Sequence, residues 1–486
     1  MDYRLKESYF NQEIFLYESL QLKVSCANYI SRISYKWNKV MKIVIAGAGA
    51  VGTHLAKMLS HQDHDIILLD NDEDKLKEID SHLDLLTVVG SSTSMKDLRE
   101  ASVKKADLFI SVTESEATNI TSTILAKKIG ALRTIARIDN QEYLEPENKE
   151  YLQTLGIDEL IYPEKLAAAE VINYLSRSGT RQMYAFSGGK LLLYGIKISS
   201  KSVIMDKTLA EVSEMTHDMD FRAVAIKRED ITIIPRGHTR FSRGDLVFVV
   251  SKSECIEHVM NLAGKRKYEI KNAMILGGSR IGQKTAMELG KKMNLKLLEI
   301  DKDKSLKLAD LLQDALVING DGRDKELLNE EGIHKMDAFV AVTGNSETNI
   351  LACLLAKKMG VKRTIAEVEN IDYIDLADSI GVGTMINKKL LAASYIYRFT
   401  MDADVQHCKW LTVSDAEVME LVAKPGSKIT RAKISDIDFP DDANIGGIIR
   451  EDKSIIATGD IQIQTDDKVV VFTLPSAIKK VEKLFK

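Results

Sequence analysis

The sequence predicts two tandem α/β units, each a doubly wound parallel sheet followed by a small α+β domain, and three observations predict it. The first is a duplication. MKIVIAGAGAVG from Met41 returns as KNAMILGGSRIG from Lys271, and ADLFISVTESEATNI from Ala106 returns as MDAFVAVTGNSETNI from Met336. LAKKIGALRTIAR from Leu125 then returns as LAKKMGVKRTIAE from Leu355, and all three pairs are displaced by 230 residues. Separated matches in one register mean two copies of a unit of about 220 residues. The second observation is the alternation of short apolar strands with helical segments, the pattern of a parallel sheet covered on both faces. The third is a glycine-rich turn that directly follows an apolar strand and opens a helix.

Composition bounds the rest. Of 486 residues, 45% are apolar and 28% charged, with a formal net charge of -4. That balance suits a folded chain and gives no reason to expect a nucleic-acid partner. No apolar run approaches the roughly 18 to 20 residues that cross a bilayer, so a membrane role is expected to be peripheral. Cys26, Cys255, Cys353 and Cys408 form no C-x-x-C pair, which fits a reduced cytosolic compartment. Residues 1–40 stand apart, with eight aromatics and neither Gly nor Pro. They lack the basic start and cleavage site of a secretory signal. They read either as an extension with no part in the core fold or as an amphipathic appendage that packs on a partner.

Taken in order, Lys42–Ala46 is expected as a buried strand, Gly47–Gly52 as a turn and Thr53–Ser60 as a helix start. Strand Ile66–Asp70, helix Asp72–Leu83, and strands Leu85–Val89, Leu108–Thr113 and Thr134–Ile138 follow. Right-handed crossovers then give a doubly wound layer over residues 41–160. Glu164–Leu175, within a crossover at 161–180, closes this layer or bridges to the next. From 181 to 260 the texture changes to strands Leu191–Ile198, Phe221–Lys227, Ile231–Pro235 and Leu246–Val250, with a helix at Met205–Met215. So small a unit buries little area alone and is expected to share a core with its neighbours. A hinge at Asn261–Lys267 leads to the second layer (272–385), its crossover (386–401, helix Ile386–Phe399) and a second small domain (402–486). That domain carries strands Val418–Ala423, Asn444–Arg450, Ser454–Ala457 and Lys468–Thr473.

The turn Gly47-Ala48-Gly49-Ala50-Val51-Gly52 is a G-x-G-x-x-G in its required context. Gly47 permits the sharp turn, Gly49 lets backbone amides approach a pyrophosphate, and Gly52 allows close helix–strand contact. The free amides at the helix start face the anion. Asp70 ends the next strand, 18 residues after Gly52, where its carboxylate can accept hydrogen bonds from both ribose hydroxyls. A 2′-phosphate would be repelled there, so NAD or an adenine nucleotide fits better than NADP. Val112 and Thr113 can reach ribose or phosphate, and Arg137 stands at the ligand end of its strand, aimed either at a pyrophosphate or at Asp139. With these residues each large domain is Rossmann-like.

The second copy is altered. Its turn reads Gly277, Gly278, Ser279, Arg280, Ile281, Gly282, so a side chain occupies the middle glycine position. Arg280 can offset that with positive charge, and Glu299 can take the ribose role of Asp70. Glu367, however, stands where Arg137 stood, which leaves either a second, weaker or different nucleotide site or a structural remnant. His54 near the first turn is expected as an exposed helix residue. No acid–base, nucleophile or metal-ligand constellation is expected, and binding without turnover fits better than catalysis.

The order large, small, large, small resembles the TrkA family of potassium-uptake regulators, the tandem RCK proteins. The resemblance is carried by KIVIAGAGAVG at Lys42, LLDNDEDKL at Leu68, VTESEATN at Val112 with its duplicate VTGNSETN at Val342, TIARI at Thr134 and IIPRG at Ile233. It covers about residues 41–475 and implies a cytoplasmic regulatory subunit lying peripherally on the inner face of the membrane of a bacterial cell. It further implies a homotetrameric ring with eight nucleotide folds beneath a potassium-transporter pore subunit, and NAD or NADH, with ATP or ADP as the other effectors. Family cofactor contacts would fall on Gly47–Val51, Asp70, Val112, Thr113 and Arg137, and on Gly277–Ile281 and Glu299. The competing readings are an NAD-dependent oxidoreductase with duplicated dinucleotide domains and a regulator of another ion transporter.

Overall fold

The computed structural model describes residues 40–60, 64–176, 182–216, 220–229, 231–264, 269–400, 405–410 and 416–486. The aromatic N-terminal segment 1–39 and residues 265–267 of the expected hinge lie outside the described residues.

The first layer contains β1 (Lys42–Ala46), α1 (Ala50–Ser60), β2 (Asp65–Asp70), α2 (Glu73–Asp80), β3 (Leu86–Val89), α3 (Met95–Glu100) and β4 (Leu108–Ser111). It continues with α4 (Glu116–Ile129), β5 (Arg133–Arg137), α5 (Pro146–Thr154), β6 (Glu159–Ile161) and α6 (Pro163–Ser176). The strands lie in the order β3-β2-β1-β4-β5-β6 and every pairing is parallel. Central strands are apolar without alternation because helices cover both faces, and β4 is wholly buried. The order reverses between β1 and β4, which opens a crevice at the carboxyl ends of those strands. Helix α1 begins three residues earlier than expected, inside the glycine turn. Helix α2 begins one residue later because Asp72 is its cap, accepting from the Lys75 amide.

The first small domain comprises β7 (Gln182–Phe186), β8 (Leu191–Lys197), α7 (Leu209–Met215), β9 (Phe221–Arg228), β10 (Ile231–Ile233), β11 (Leu246–Ser251) and α8 (Ile256–Leu262). Its antiparallel sheet runs β10-β9-β11-β8-β7. Strand β7 was not among the expected elements, and its sequence QMYAF does not alternate cleanly, ending in the apolar pair Ala185 and Phe186. Helix α7 starts four residues later than Met205 because Thr208 and Glu211 form a reciprocal cap, a T-x-x-E signal readable in the sequence.

The second half repeats this order. Its layer holds β12 (Asn272–Leu276), α9 (Arg280–Leu289), β13 (Asn294–Glu299), α10 (Lys302–Leu311), β14 (Ala315–Asn319), α11 (Lys325–Glu330) and β15 (Ala338–Ala341). Then come α12 (Ser346–Lys358), β16 (Arg363–Glu367), α13 (Asp372–Ser379), β17 (Thr384–Ile386) and α14 (Lys388–Tyr397), with sheet order β14-β13-β12-β15-β16-β17. The last domain holds β18 (Val405–Trp410), β19 (Glu417–Val422), β20 (Ala443–Arg450), β21 (Lys453–Ile456), β22 (Lys468–Thr473) and α15 (Ile478–Phe485). Its sheet runs β18-β19-β22-β20-β21, the same topology as the first small sheet. Both also carry one arginine fork on a buried aspartate. Arg228 grips Asp245 at 2.8 Å through two nitrogens, and Arg450 grips Asp467 at 2.9 and 2.8 Å.

The crossover helices exchange between halves. Ala167, Ala168, Val171, Tyr174 and Leu175 of α6 bury in the second layer's core beside Ile281, Ala286 and Leu289 of α9. Reciprocally, Ala392, Ala393, Ile396 and Tyr397 of α14 bury in the first layer's core beside Leu55 and Leu59 of α1. The two crossover helices also pack on each other. Of the two expected roles, bridging is therefore the one that α6 takes. The small sheets meet face to face through Leu193, Val224 and Phe248 on one side and Val418, Val470 and Phe472 on the other, so their expected core-sharing is with each other. Ring centroids of Phe248 and Phe472 are 5.8 Å apart.

Candidate functional site

The crevice of the first layer is a cleft of about 440 Å³. Of the residues singled out from the sequence, Gly47, Gly49, Ala50, Val51, Asp70, Val112, Thr113 and Arg137 line it. Ala48 and Gly52 build the turn beneath it. Gly47 has φ +110, and a Cβ there would meet the Thr113 amide nitrogen at 2.9 Å. A Cβ on Gly52 would overlap the Gly47 carbonyl, so the helix can start this close to β1 only with glycine at that position. Gly49 differs in kind: nothing lies within 4 Å of where its Cβ would be, so the structure leaves open space there.

Asp70 is held before any ligand arrives. Its Oδ2 accepts from the Ala48 amide at 2.5 Å and its Oδ1 from the Asp72 amide at 2.9 Å. Each oxygen keeps a further lone pair for a hydroxyl. Thr113 and Arg137 are fixed by a residue not anticipated from the sequence, the buried Asn119. Its Oδ1 accepts from the Thr113 amide at 2.8 Å and the Thr113 hydroxyl at 2.7 Å. Its Nδ2 donates to the Thr113 carbonyl at 3.1 Å and the Arg137 carbonyl at 3.0 Å. One amide side chain thus pins the ends of β4 and β5 together. Asn349 repeats the arrangement in the second layer on Thr343 and Glu367. The shared T-N ending of VTESEATN and VTGNSETN was the available signal.

Of the two expected partners, Asp139 is the one found beside Arg137. Its Nη2 lies 3.4 Å from Asp139 Oδ1, yet it also lines the cleft. Its Nε is buried without a hydrogen-bond partner among the described residues. Further lining comes from Lys75, Ser91, Thr93, Ser115, Thr118 and, from the other half of the chain, Lys389.

The second cleft measures about 390 Å³, and of the expected residues Gly277, Ser279 and Glu299 line it. Gly278 carries the amide that Glu299 Oε2 accepts at 3.0 Å, while Ile281 and Gly282 are buried in the core. Three differences from the first cleft matter. Ser279 caps its own helix, its hydroxyl accepting from the Gly282 amide at 3.4 Å, so this helix-start amide is already engaged. Glu299 is paired with Lys304 at 2.6 Å. Burial pushes the Glu299 carboxyl up, but Lys304 and the Asp301 and Gly278 amides outweigh it and hold the group below the ordinary glutamate range. Arg280 does not serve this cleft as expected. Its guanidinium turns to Asp139 of the first layer, at 3.9 Å, because α9 faces the exchanged helix α6 and the first layer's edge.

Glu367 is not in the second cleft. It is buried in a cluster where Lys388 Nζ lies 3.3 Å from Glu367, 2.5 Å from Glu369 and 3.9 Å from Glu164 of the first half. Burial raises the Glu367 carboxyl above its usual range against the pull of Lys388. Burial alone would lower Lys388, but Glu367 and Glu369 hold its ammonium above the usual lysine range. His54 also departs from expectation. It is half-buried on α1 with Nε2 unpartnered among the described residues, and burial, then Lys57, lowers its pKa to about 4. The exchanged helix α14 packs on α1, and sequence periodicity within α1 could not register that cover.

Among the described residues no helix is long and apolar enough to cross a membrane, and no His/Cys/Asp/Glu group is placed to hold a metal ion.

Comparison with known proteins gives consistent matches. The TrkA-N domain model matches residues 43–163 and 273–388, and the TrkA-C domain model matches 193–264 and 418–486. Among relatives, the Trk system potassium uptake protein TrkA homolog 2 of Methanosarcina mazei is 32% identical over 455 residues, covering 92% of this chain and all of the relative. The Trk system potassium uptake protein TrkA of Vibrio alginolyticus is 32% identical over 453 residues, covering 92% and 98%. In fold, the chain is similar to the GsuK channel bound to NAD (TM-score 0.55, 15% identity, 94% of this chain and 83% of that one). It is likewise similar to the GsuK RCK domain (TM-score 0.55, 15% identity, 94% and 99%).

Proposed function

This chain belongs to the TrkA family, and from that premise we propose that it is the nucleotide-binding regulatory subunit of a potassium-uptake system. It works in the cytoplasm, peripheral to the membrane, as a ring of four chains beneath a pore subunit. The first cleft binds NAD or NADH, or ATP or ADP, and its occupancy changes the shape of the ring. The oxidoreductase alternative gives way to family membership, and the regulatory role requires binding and release only. Within potassium-uptake relatives, regulation of a different ion transporter loses its support as well.

The observation that carries the nucleotide reading is the unspent bonding capacity of the first cleft. The open space at Gly49, the second lone pairs of Asp70 and the side chain of Arg137 line one cavity of nucleotide size. Asp70 would take the ribose hydroxyls, the amides after Gly49 the first phosphates, and Arg137 the anion beyond them. The second cleft supports a lesser role, since Ser279 and Lys304 satisfy the groups that a nucleotide would need.

Calorimetry on the intact chain tests this. Asp70→Ala removes the ribose contact and the tie to the Ala48 and Asp72 amides together, so affinity for NADH and for ATP should fall by at least about fivefold, roughly 1 kcal/mol. Potassium flux through a pore subunit that co-purifies with the chain should then lose its nucleotide response. Flux that ignores nucleotide in the wild type would overturn the regulatory reading, and full affinity in Asp70→Ala would remove that residue from the site.

A further inference from the structure

The first cleft is not completed by its own half of the chain. Lys389 is the second residue of α14, and α14 belongs to the second half but is buried against α1 of the first. Asn387 sets where this helix starts: its Oδ1 accepts from the Lys389 and Leu390 amides, both at 2.9 Å, and its Nδ2 donates to the Val368 carbonyl at 2.8 Å. The anchored helix start delivers the Lys389 side chain to the same cleft as Arg137 and Lys75. We propose that Lys389 is a specificity-determining residue of the first cleft, favouring nucleotides in proportion to their phosphate charge.

Ion pairing within the cleft shows why Lys389 suits this role. Lys75 is held by Asp72 at 3.1 Å, and Arg137 has Asp139 at 3.4 Å. Lys389 is 3.0 Å from Glu369 Oε2, but Glu369 Oε1 already has Lys388 at 2.5 Å. Glu369 is therefore served by two ammonium groups and keeps its 2.5 Å contact with Lys388 when Lys389 turns to a ligand, Lys388 then being shared by Glu164, Glu367 and Glu369. An ammonium on a flexible stem is a point charge, and it attracts a polyphosphate by charge rather than by shape. Lys388 in turn touches Glu164 of the first half, so a movement of Lys389 redistributes a cluster shared by both halves.

This rests on the nucleotide reading of the first cleft, and the test separates the two. The probes are AMP, ADP and ATP, titrated calorimetrically into the full chain carrying Lys389→Gln. Glu369 keeps Lys388 in that variant, and an unchanged melting temperature checks that the fold is kept. The expected result is a graded loss. AMP affinity stays within about twofold, ADP falls further, and ATP falls about tenfold, the scale of one charge-assisted contact. Lys389→Arg should restore most of the ATP affinity. Asp70→Ala, by contrast, should weaken all three ligands alike. An equal loss for all three in Lys389→Gln, or no loss for ATP, would overturn the Lys389 proposal and leave the nucleotide reading standing. A wild-type chain that binds none of the three would overturn the Lys389 proposal, and one that also fails to bind NADH would overturn both.

Discussion

Gly49 and Ser279 stand at the same point of the two glycine turns, and a hydroxymethyl group there separates an open turn from a self-capped one. At Gly49 no atom lies within 4 Å of a would-be Cβ, whereas the Ser279 hydroxyl accepts from the Gly282 amide. Serine is a preferred helix cap, so Gly49→Ser should fold normally and gain a few tenths of a kcal/mol at most. The new hydroxyl would engage a helix-start amide and stand where phosphate must approach. Calorimetry should therefore show ATP and NADH affinities falling about tenfold while the melting temperature holds, a separation of binding from stability. Undiminished affinity would mean that ligand does not approach the turn at that point. This turn was legible in the sequence because its contacts are local, from strand to turn to helix within a few residues. Asp70 was legible for a different reason, its position at the end of the next strand, 18 residues after Gly52, although its tie to the Ala48 amide is not local. Asn119 was not legible, since its partners Thr113 and Arg137 lie at the ends of two strands whose adjacency is a fact of the sheet.

At the scale of elements, the alternation of strands and helices was readable throughout, and the errors have physical causes. Helix α2 starts after Asp72 rather than with it, because an aspartate that accepts from the Lys75 amide stands outside the helix that it caps. The unanticipated strands β7 and β18 lie at the edge of each small sheet, where pairing on one side only leaves a weak signal. The exchange of α6 and α14 was beyond sequence reasoning altogether, since an apolar helix face states that it must be buried but not against which copy. That exchange makes a prediction about coupling. Ile396 on α14 and Leu55 on α1 share one core, both fully buried. Ile396→Ala should cost about 2–4 kcal/mol in chemical denaturation although it lies in the other half of the chain. Combined with Leu55→Ala, the loss should depart from the sum of the single losses, because the two side chains share a cavity. Strict additivity would mean that α14 does not complete the first core.

For the molecule as a whole, the duplication has been turned into a single interlocked body. Each layer is finished by the other half's crossover helix, the small sheets share one core, and polar contacts join the same surfaces. Glu420 accepts from the Ser187 amide at 3.1 Å and hydroxyl at 2.8 Å, and Arg222 donates to the Ala457 carbonyl at 2.5 Å. Covalent linkage between the halves should then be dispensable once folding is complete. A protease recognition sequence inserted between Gly264 and Glu269, cut in the native protein, should leave two fragments that still co-elute in gel filtration. They should also bind ATP with unchanged affinity, since Lys389 reaches the first cleft through α14 and not through the severed link. Separation of the fragments at micromolar concentration would contradict the exchange, because a unit held only by its linker has nothing left to join it. Association would support the view that a change at the first cleft is carried to the second half through α14 packed on α1, the element both halves need in order to be complete.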